Sequence, residues 1–110
     1  GADSNPIGLE GAPAERRGMR RPAAFFREKK GLKAVIAREE YLPLFERRGF
    51  RRLAADGSFS RTSVNVMSVF ESKGLEFSAV AVYDRDMTEN EKYIACTRAL
   101  RELAIVEEES

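Results

Sequence analysis

Two apolar segments of strand length, residues 62–70 (TSVNVMSVF) and 79–84 (AVAVYD), constrain the fold of this chain more than any other feature. Both are rich in valine and largely apolar, which is typical of strands that are buried on both faces. A third run, residues 33–37 (KAVIA), is β-branched and is entered through Gly31. These three runs predict the central strands of one sheet.

Helical patterns lie between the predicted strands. Residues 39–48 place apolar side chains at helical spacing and are followed by Gly49, which predicts a helix that ends there. Residues 89–100 begin with glutamates, which the helix dipole favours in a first turn, and residues 102–108 (ELAIVEE) predict a last strand. Strands that alternate with helices predict an α/β layer structure with a mostly parallel sheet.

The first residues of the chain have a different composition from the rest. Residues 1–22 are rich in Gly, Ala, Pro and Arg and show no helical or strand periodicity, so we expect a flexible leader or linker. Residues 23–110 open with a short apolar patch at 23–28 (AAFFRE) and have the length of one small domain. That domain is either complete or a piece of a larger protein.

Composition excludes several classes of site. The chain has no histidine and a single cysteine, Cys96, which excludes an internal disulfide, a Cys/His zinc site and a Ser-His-Asp triad. No run approaches the roughly 18 apolar residues that span a membrane, and no secretory segment is visible. We therefore expect a cytoplasmic protein without membrane contact, with Cys96 as a small core residue.

Charge is distributed unevenly along the chain. Residues 16–52 contain thirteen Lys or Arg and four Glu, whereas residues 53–110 contain six Lys or Arg and eleven Asp or Glu. A basic half of this kind suits a polyanion on one face, because Lys and Arg gain affinity by releasing counterions from phosphates. A solvated charged surface is an equally good interpretation. The stretch from Arg16 to Lys33 is the basic segment that we would test for phosphate contact.

The polar stretch Lys73–Phe77 (KGLEF) separates the two longest apolar runs. Gly74 permits a sharp turn or a close approach to a ligand, and Lys73 and Glu76 supply a cation and a hydrogen-bond acceptor. Because the stretch follows a buried strand, we expect it at the carboxyl ends of the strands, where α/β sheets bind ligands. Physics alone favours a connector with solvated charges. No GxxxxGK[ST] phosphate-binding loop occurs in the chain.

A second stretch, residues 93–100 (YIACTRAL), favours the ligand-binding interpretation of KGLEF over the solvated connector. KGLEF followed by YIACTRAL resembles the fifth and sixth motifs of superfamily I helicases of the UvrD/Rep/PcrA type, and is most similar to compact UvrD-like and HelD-like proteins. The resemblance is strongest over residues 63–106. It implies that residues 23–110 form the second RecA-like motor domain, a three-layer fold like that of P-loop NTPases but without its own P-loop.

The resemblance also implies a nucleotide site. In this family ATP with Mg²⁺ lies between two RecA-like domains, and the first of them brings the P-loop. Arg98 matches the arginine finger, which stabilises charge on the transferring phosphoryl group. Glu76 matches the acceptor of a ribose hydrogen bond, Gly74 marks a close backbone approach, and Lys73 lies on the nucleotide side. The structural alternative for Arg98 is an ion pair with Glu102 on a helix surface.

Two further residues are implied to contact nucleic acid. Ser68 matches a threonine or serine that contacts the backbone of single-stranded DNA; a small residue in a buried strand is an equally good interpretation. Phe70 occupies a position where many family members have a histidine that touches DNA. Its ring either stacks on a base or belongs to the core, and we favour the core.

Asp84 and Asp86 follow an apolar strand and resemble a magnesium-binding pair. Without a P-loop, a strand-end turn is the better interpretation, so we predict no metal site.

The resulting hypothesis is the C-terminal domain of an ATP-dependent DNA helicase or translocase. Its implied partners are single-stranded DNA and a first RecA-like domain, and the isolated chain is expected to lack ATPase activity. The alternative is a degenerate helicase-like module that binds nucleic acid, or a protein such as RNA polymerase, without catalysis. A more remote alternative is the motor part of a helicase-nuclease.

Overall fold

The computed structural model describes residues 14–15, 22–27 and 29–106. These residues form a six-stranded sheet in which every pair of neighbouring strands is parallel, with helices on both faces. This confirms the predicted α/β class. The strands are β1 (Ala14–Glu15), β2 (Lys33–Ala37), β3 (Arg51–Arg52), β4 (Val64–Ser68), β5 (Phe77–Tyr83) and β6 (Ala99–Val106), and the helices are α1 (Pro22–Phe26), α2 (Leu42–Glu46), α3 (Val69–Ser72) and α4 (Glu89–Cys96).

The strand order is β1-β6-β5-β2-β4-β3, so β2 lies in the middle of the sheet. Lys33 at its start is in register with Val64 of β4 on one side and with Ala79 of β5 on the other. Because β2 has a strand on each side and helices above and below, its residues from Ala34 to Ala37 are all fully buried. The apolar KAVIA run is therefore the centre of the fold.

Two apolar cores lie on opposite faces of the sheet, and alternate residues of β2 contribute to each. Helices α3 and α4 cover one core and helices α1 and α2 cover the other. The α3/α4 core is built around Ile36, Met67, Phe77, Val80, Val82, Cys96 and Leu103, and the α1/α2 core around Phe25, Phe26, Val35, Leu42, Phe45, Val66 and Tyr83. Cys96 is a core residue, as predicted.

The predicted helix at residues 39–48 is present in a shorter form. It begins with a 3₁₀ turn at Glu39–Tyr41, continues as α2 with Pro43 in its first turn, and ends at Glu46. Gly49 has a φ of 96°, the left-handed conformation that commonly follows a helix end. The glycine therefore stops the helix as the sequence indicated.

Three predicted boundaries are wrong. The strand predicted over residues 62–70 ends at Ser68, because Ser68 and Glu71 form a reciprocal capping box that starts α3. The helix predicted over residues 89–100 ends at Cys96, and the last strand begins at Ala99 instead of residue 102. Ala99 pairs with the first residue of β5. Pairing with β5 therefore places Ala99 and Leu100 in the last strand, although their spacing suggested the helix.

Part of the predicted leader belongs to the sheet. Ala14–Glu15 pairs in parallel with Leu103 and Ala104 of β6, so the expectation of no strand in residues 1–22 is wrong at this point. Pro22 starts α1, whose Phe25 and Phe26 are buried. The other residues of the segment lie outside the described part. Within the described part, no helix is long and apolar enough to cross a membrane.

Candidate nucleotide and nucleic-acid site

The loop Lys73–Glu76 lies at the amino end of β5, not at the carboxyl ends of the strands as predicted. The reason is α3, which the sequence analysis did not separate from β4. The chain leaves β4 at its carboxyl end, passes through α3 on one face of the sheet, and returns to the opposite edge before β5 begins. We call the two edges of the sheet the carboxyl edge and the amino edge.

Two elements of the predicted nucleotide site are open to solvent. Gly74 has a φ of 84°, and a Cβ added there would meet no atom within 4 Å. Glu76 is exposed, and no described residue donates a hydrogen bond to its carboxylate or pairs with it. An accessible backbone turn beside an unpaired acceptor can receive a hydroxyl group such as that of a ribose.

Arg98 lies directly after α4 and is half-buried at the same amino edge. All three guanidinium nitrogens have partners within the protein. Nη1 donates to the carbonyl oxygen of Leu75 at 3.2 Å, Nε to that of Ile94 at 3.2 Å, and Nη2 to Thr97 Oγ1 at 3.2 Å. The side chain therefore joins the KGLEF loop to the end of α4.

The predicted alternative for Arg98, an ion pair with Glu102 on one helix, is wrong. Helix α4 ends before Arg98, and Glu102 lies in β6, where its carboxylate is 2.8 Å from Lys29 Nζ. Instead, the backbone of Arg98 contacts the KGLEF segment as well, because the amide of Phe77 donates to the carbonyl oxygen of Arg98 at 2.9 Å. The KGLEF and YIACTRAL segments thus meet at one edge.

Ser68 lies at the other edge, at the carboxyl end of β4. Its residue is only 8% exposed, and its hydroxyl accepts a hydrogen bond from the amide of Glu71 at 3.1 Å. The amide of Ser68 in turn donates to the Glu71 carboxylate at 2.9 Å. The hydroxyl therefore has a structural role as the cap of α3, and the structure does not bring it together with Arg98.

Phe70 is 78% exposed, so the expectation that it belongs to the core is wrong. It follows the capping residue on α3, and the one-turn helix points this ring outward while Val69 and Ser72 are buried. The ammonium of Lys73 lies 5.7 Å from the centre of the Phe70 ring, within range of a cation–π contact. Lys73 is thus placed beside Phe70, between the two predicted sites.

A charged network that the sequence analysis missed lies at the carboxyl edge between β2 and β5. Helix α2 leaves β2 on one face and α4 leaves β5 on the other, so this is the topological switch point of the sheet, where open α/β sheets often bind ligands. Arg38 follows β2 directly and bonds to Glu40 at 3.0 Å and to Glu91 at 3.1 Å. Its position directly after the predicted KAVIA strand could have identified Arg38 as a residue at the carboxyl edge.

This network shifts the pKa values of Arg38, Glu40 and Tyr41. The hydrogen bond and charge of Glu40 raise the pKa of the Arg38 guanidinium, with a further contribution from Glu91. The pKa of Glu40 is lowered by its own backbone amide and by Arg38. Tyr41 donates a hydrogen bond to Asp86, which raises the pKa of the phenol. Ion pairs and hydrogen bonds within the protein therefore connect the elements on the two sides of the switch point.

The candidate magnesium pair is a strand-end turn, as predicted. Asp84 forms an ion pair with Lys92 at 3.0 Å, and Asp86 adopts a φ of 62° in the turn after β5. Among the described residues, no group of three or more Asp, Glu, His or Cys side chains is arranged to hold a metal ion. These aspartates serve the connection between β5 and α4.

Comparison with known proteins gives a fold relative. No protein-family model and no curated protein matches the chain. Among solved structures, the chain is similar to the C-terminal domain of a possible DNA helicase from Lactobacillus plantarum WCFS1, with 23% identity and a TM-score of 0.59. The match covers 92% of this chain and 76% of that domain. At this identity the similarity shows a shared fold.

Proposed function

We propose that this chain is the second RecA-like domain of a superfamily I DNA helicase or translocase of the UvrD/Rep/PcrA type. The observation that supports the proposal best is the meeting of two segments at the amino edge. Arg98 bonds to the carbonyl oxygen of Leu75 within KGLEF, next to the exposed Glu76. A motor domain that closes on ATP needs a cation, an acceptor and an accessible backbone on one surface.

In the proposed site, ATP with Mg²⁺ is bound by the P-loop of a first domain, and this chain completes the site. Glu76 accepts a hydrogen bond from the ribose, and the backbone at Gly74 approaches the nucleotide. Arg98 stabilises charge on the γ-phosphate. To do so, its guanidinium exchanges the carbonyl oxygens of Leu75 and Ile94 for phosphate oxygens when the domains close.

The proposed contact with single-stranded DNA is centred on Phe70 and Lys73. The exposed ring offers a surface on which a base stacks, a contact worth about 1–3 kcal/mol per base. Lys73 supplies a cation beside that ring. The Ser68 hydroxyl is already used in the helix cap, so we propose that Ser68 mainly holds Phe70 in position.

The test is DNA-stimulated ATP hydrolysis by a longer protein that contains this domain and its first domain, with the native sequence compared with Arg98→Ala. We expect a loss of about a hundredfold or more in turnover, with nucleotide binding largely retained. Arg101→Ala is the matched control, because Arg101 is exposed nearby on β6 and has no described partner.

Arg98 also holds the amino edge together, so a loss of activity must be separated from a loss of folding. Urea unfolding of each variant gives that control, and turnover is compared at a temperature where both are folded. Unchanged turnover in a folded Arg98→Ala protein would mean that TRA is a structural element here. The isolated chain should hydrolyse no ATP above the buffer rate.

The second candidate function is a nucleic-acid or protein-binding module without catalysis. It is favoured by the engagement of all three Arg98 nitrogens within the protein. The two functions are distinguished by the reading frame upstream of this sequence. A GxxxxGK[ST] motif there supports the motor, whereas its absence supports the module, for which an RNA polymerase is one partner to test.

A further inference from the structure

A group of arginines lies around the outermost strand of the sheet, β3, which β4 and β2 separate from β5. Residues 47–61 contain five arginines and no lysine, with Asp56 as the only acidic residue. Strand β3 is the last strand of the sheet and pairs only with β4. We call Arg47, Arg48, Arg51 and Arg61 the basic corner. All four are exposed.

The fold brings the members of this corner together. Arg47 and Arg48 lie in the tight turn between α2 and β3, where the amide of Phe50 donates to the carbonyl oxygen of Phe45 at 3.1 Å and the two rings stack. Arg51 is the first residue of β3. The turn after α2 therefore places three of the arginines at the start of the edge strand, within five residues of one another in sequence.

The fourth arginine is brought in by the loop before β4. The side-chain amide of Asn65 donates to the carbonyl oxygens of Ser60 at 2.9 Å and of Ser63 at 3.4 Å, and its oxygen accepts from the amide of Ser60 at 2.7 Å. Asn65 is in register with Arg51, so the backbone on either side of Arg61, at Ser60 and Ser63, is held by the residue that pairs with Arg51. The buried Asn65 thus closes the corner.

The charges of the basic corner are not used by the described part of the protein. None of its four guanidinium groups forms an ion pair or a side-chain hydrogen bond with a described residue. The neighbouring Arg52 differs, since its guanidinium is 3.6 Å from Glu39 on the α2 side. Asp56 is engaged in its own turn, where the amide and hydroxyl of Ser58 lower the pKa of its carboxyl.

We propose that the basic corner binds the phosphate backbone of nucleic acid without regard to sequence. Exclusive use of arginine suits this partner, because the planar guanidinium matches phosphate oxygens in pairs and is easier to dehydrate than an ammonium. A row of cations along an edge gains affinity through release of counterions. This contact is separate from Phe70 and does not depend on the ATP site.

The basic segment chosen from the sequence, Arg16 to Lys33, has fewer available charges where it is described. Lys29 pairs with Glu102, and Lys33 Nζ donates to the carbonyl oxygen of Lys29 at 3.3 Å. The segment's other two described cations, Arg27 and Lys30, are exposed without described partners, compared with four arginines in the basic corner. Residues 16–21 lie outside the described part. The observations therefore favour the basic corner as the phosphate contact.

The test measures binding of the 110-residue chain to labelled oligothymidylate by fluorescence anisotropy over about 50–200 mM salt. The variant is R47Q/R48Q/R51Q. Each lost contact to a single strand lowers the slope of log K against log salt by about 0.7, so we expect a decrease of about 2 and an affinity at least about tenfold weaker. R47K/R48K/R51K should retain most of the slope.

The charge-matched comparison is R27Q/K30Q/R101Q, which removes the same charge from exposed positions without described partners and includes the two such cations of the rival segment Arg16 to Lys33. It should leave the slope and the affinity nearly unchanged. Equal losses in both triple variants would overturn the proposal in favour of a general charge effect. No loss in the first would show that these arginines only keep the edge strand from pairing with another chain.

Failure of this proposal is distinguishable from failure of the stacking contact. Phe70→Ala removes no charge, so it should weaken binding without changing the salt slope, whereas the basic-corner variant changes the slope. Far-UV circular dichroism and urea unfolding establish that each variant is folded before binding is compared.

Discussion

The two edges of the parallel sheet hold their charged side chains in different ways. At the amino edge, Arg98 is bound by uncharged oxygens, two of them backbone carbonyls, and the acidic Glu76 nearby is left exposed. At the carboxyl edge, Arg38 is bound by two carboxylates, one from the 3₁₀ turn after β2 and one from the first turn of α4. Arg98 connects two segments without pairing with an opposite charge, whereas Arg38 is the centre of an ion-pair network.

This difference has a chemical meaning. An arginine bound to carbonyl oxygens keeps its full positive charge and gains more from a phosphate than from its present partners. An arginine between two carboxylates is already neutralised, and an anion that approached it would meet Glu40 and Glu91 as well. The amino edge is therefore the better place for a phosphate, although the carboxyl edge holds the switch point.

The largest effect on stability is expected from Gly31→Ala, which adds a methyl group at a closely packed position of the amino edge. Gly31 has a φ of 87°, and an added Cβ would overlap Ser78 Oγ and lie 3.0 Å from Ser78 Cβ. We expect a loss of about 3 kcal/mol in the free energy of unfolding, from the left-handed backbone and the overlap together. Urea unfolding measures the change.

Gly74→Ala is the control for this effect, since Gly74 has a similar φ of 84° with no atom within 4 Å of the added Cβ. It should lose only the backbone contribution, about 1–2 kcal/mol. Equal losses at the two glycines would contradict the close packing of Gly31 on β5.

An intermediate effect is expected from Arg98→Ala on stability. The variant removes three hydrogen bonds and leaves the carbonyl oxygens of Leu75 and Ile94 without this donor. We expect a loss of about 2 kcal/mol in the free energy of unfolding. Arg101→Ala is the control, because Arg101 is exposed on β6 three residues after Arg98, and it should change the free energy of unfolding by less than about 0.5 kcal/mol. A similar stability for both variants would contradict the role of Arg98 in holding KGLEF against the end of α4.

The smallest effect is expected from Arg38→Ala, and it should depend on pH. The pKa of Glu40 is lowered from 4.5 in the folded protein, first by its own backbone amide and then by Arg38, so the contribution of Arg38 stabilises the fold above the unfolded pKa and is lost as pH falls through the folded value. The difference in unfolding free energy between native and Arg38→Ala should therefore shrink from neutral pH towards about pH 3.

The Arg98→Ala difference should persist over the same range, because its oxygen partners do not titrate there. Chemical unfolding of all three proteins at each pH gives both differences. A parallel decline for Arg38 and Arg98 would contradict the distinction between the two edges.

The architecture was largely predictable from the sequence because the buried strands are apolar on nearly every position. KAVIA matches β2 residue for residue, and residues 79–84 mark most of β5. Local periodicity could not show where Val69 and Phe70 belong, since both suit a strand. The capping box of Ser68 and Glu71 decides that question, and its signal, serine followed three residues later by glutamate, was present in the sequence.

The candidate site was only partly predictable. Arg98, Gly74 and Glu76 were identified by resemblance, and the structure places them at one edge. Their position at the amino edge depends on α3 crossing the sheet, which spacing along the chain does not reveal. The network around Arg38 depends on residues far apart in sequence, such as Glu91, that only the topology brings together.

The central position of β2 also bears on how the chain is assembled. Its two neighbours, β4 and β5, both come later in the sequence, and Tyr83 is the last of their residues to pair with it. During synthesis, this buried central strand therefore emerges well before either partner is available. Closing such long loops is slow, so the nascent chain must keep KAVIA from aggregating until β5 has been made.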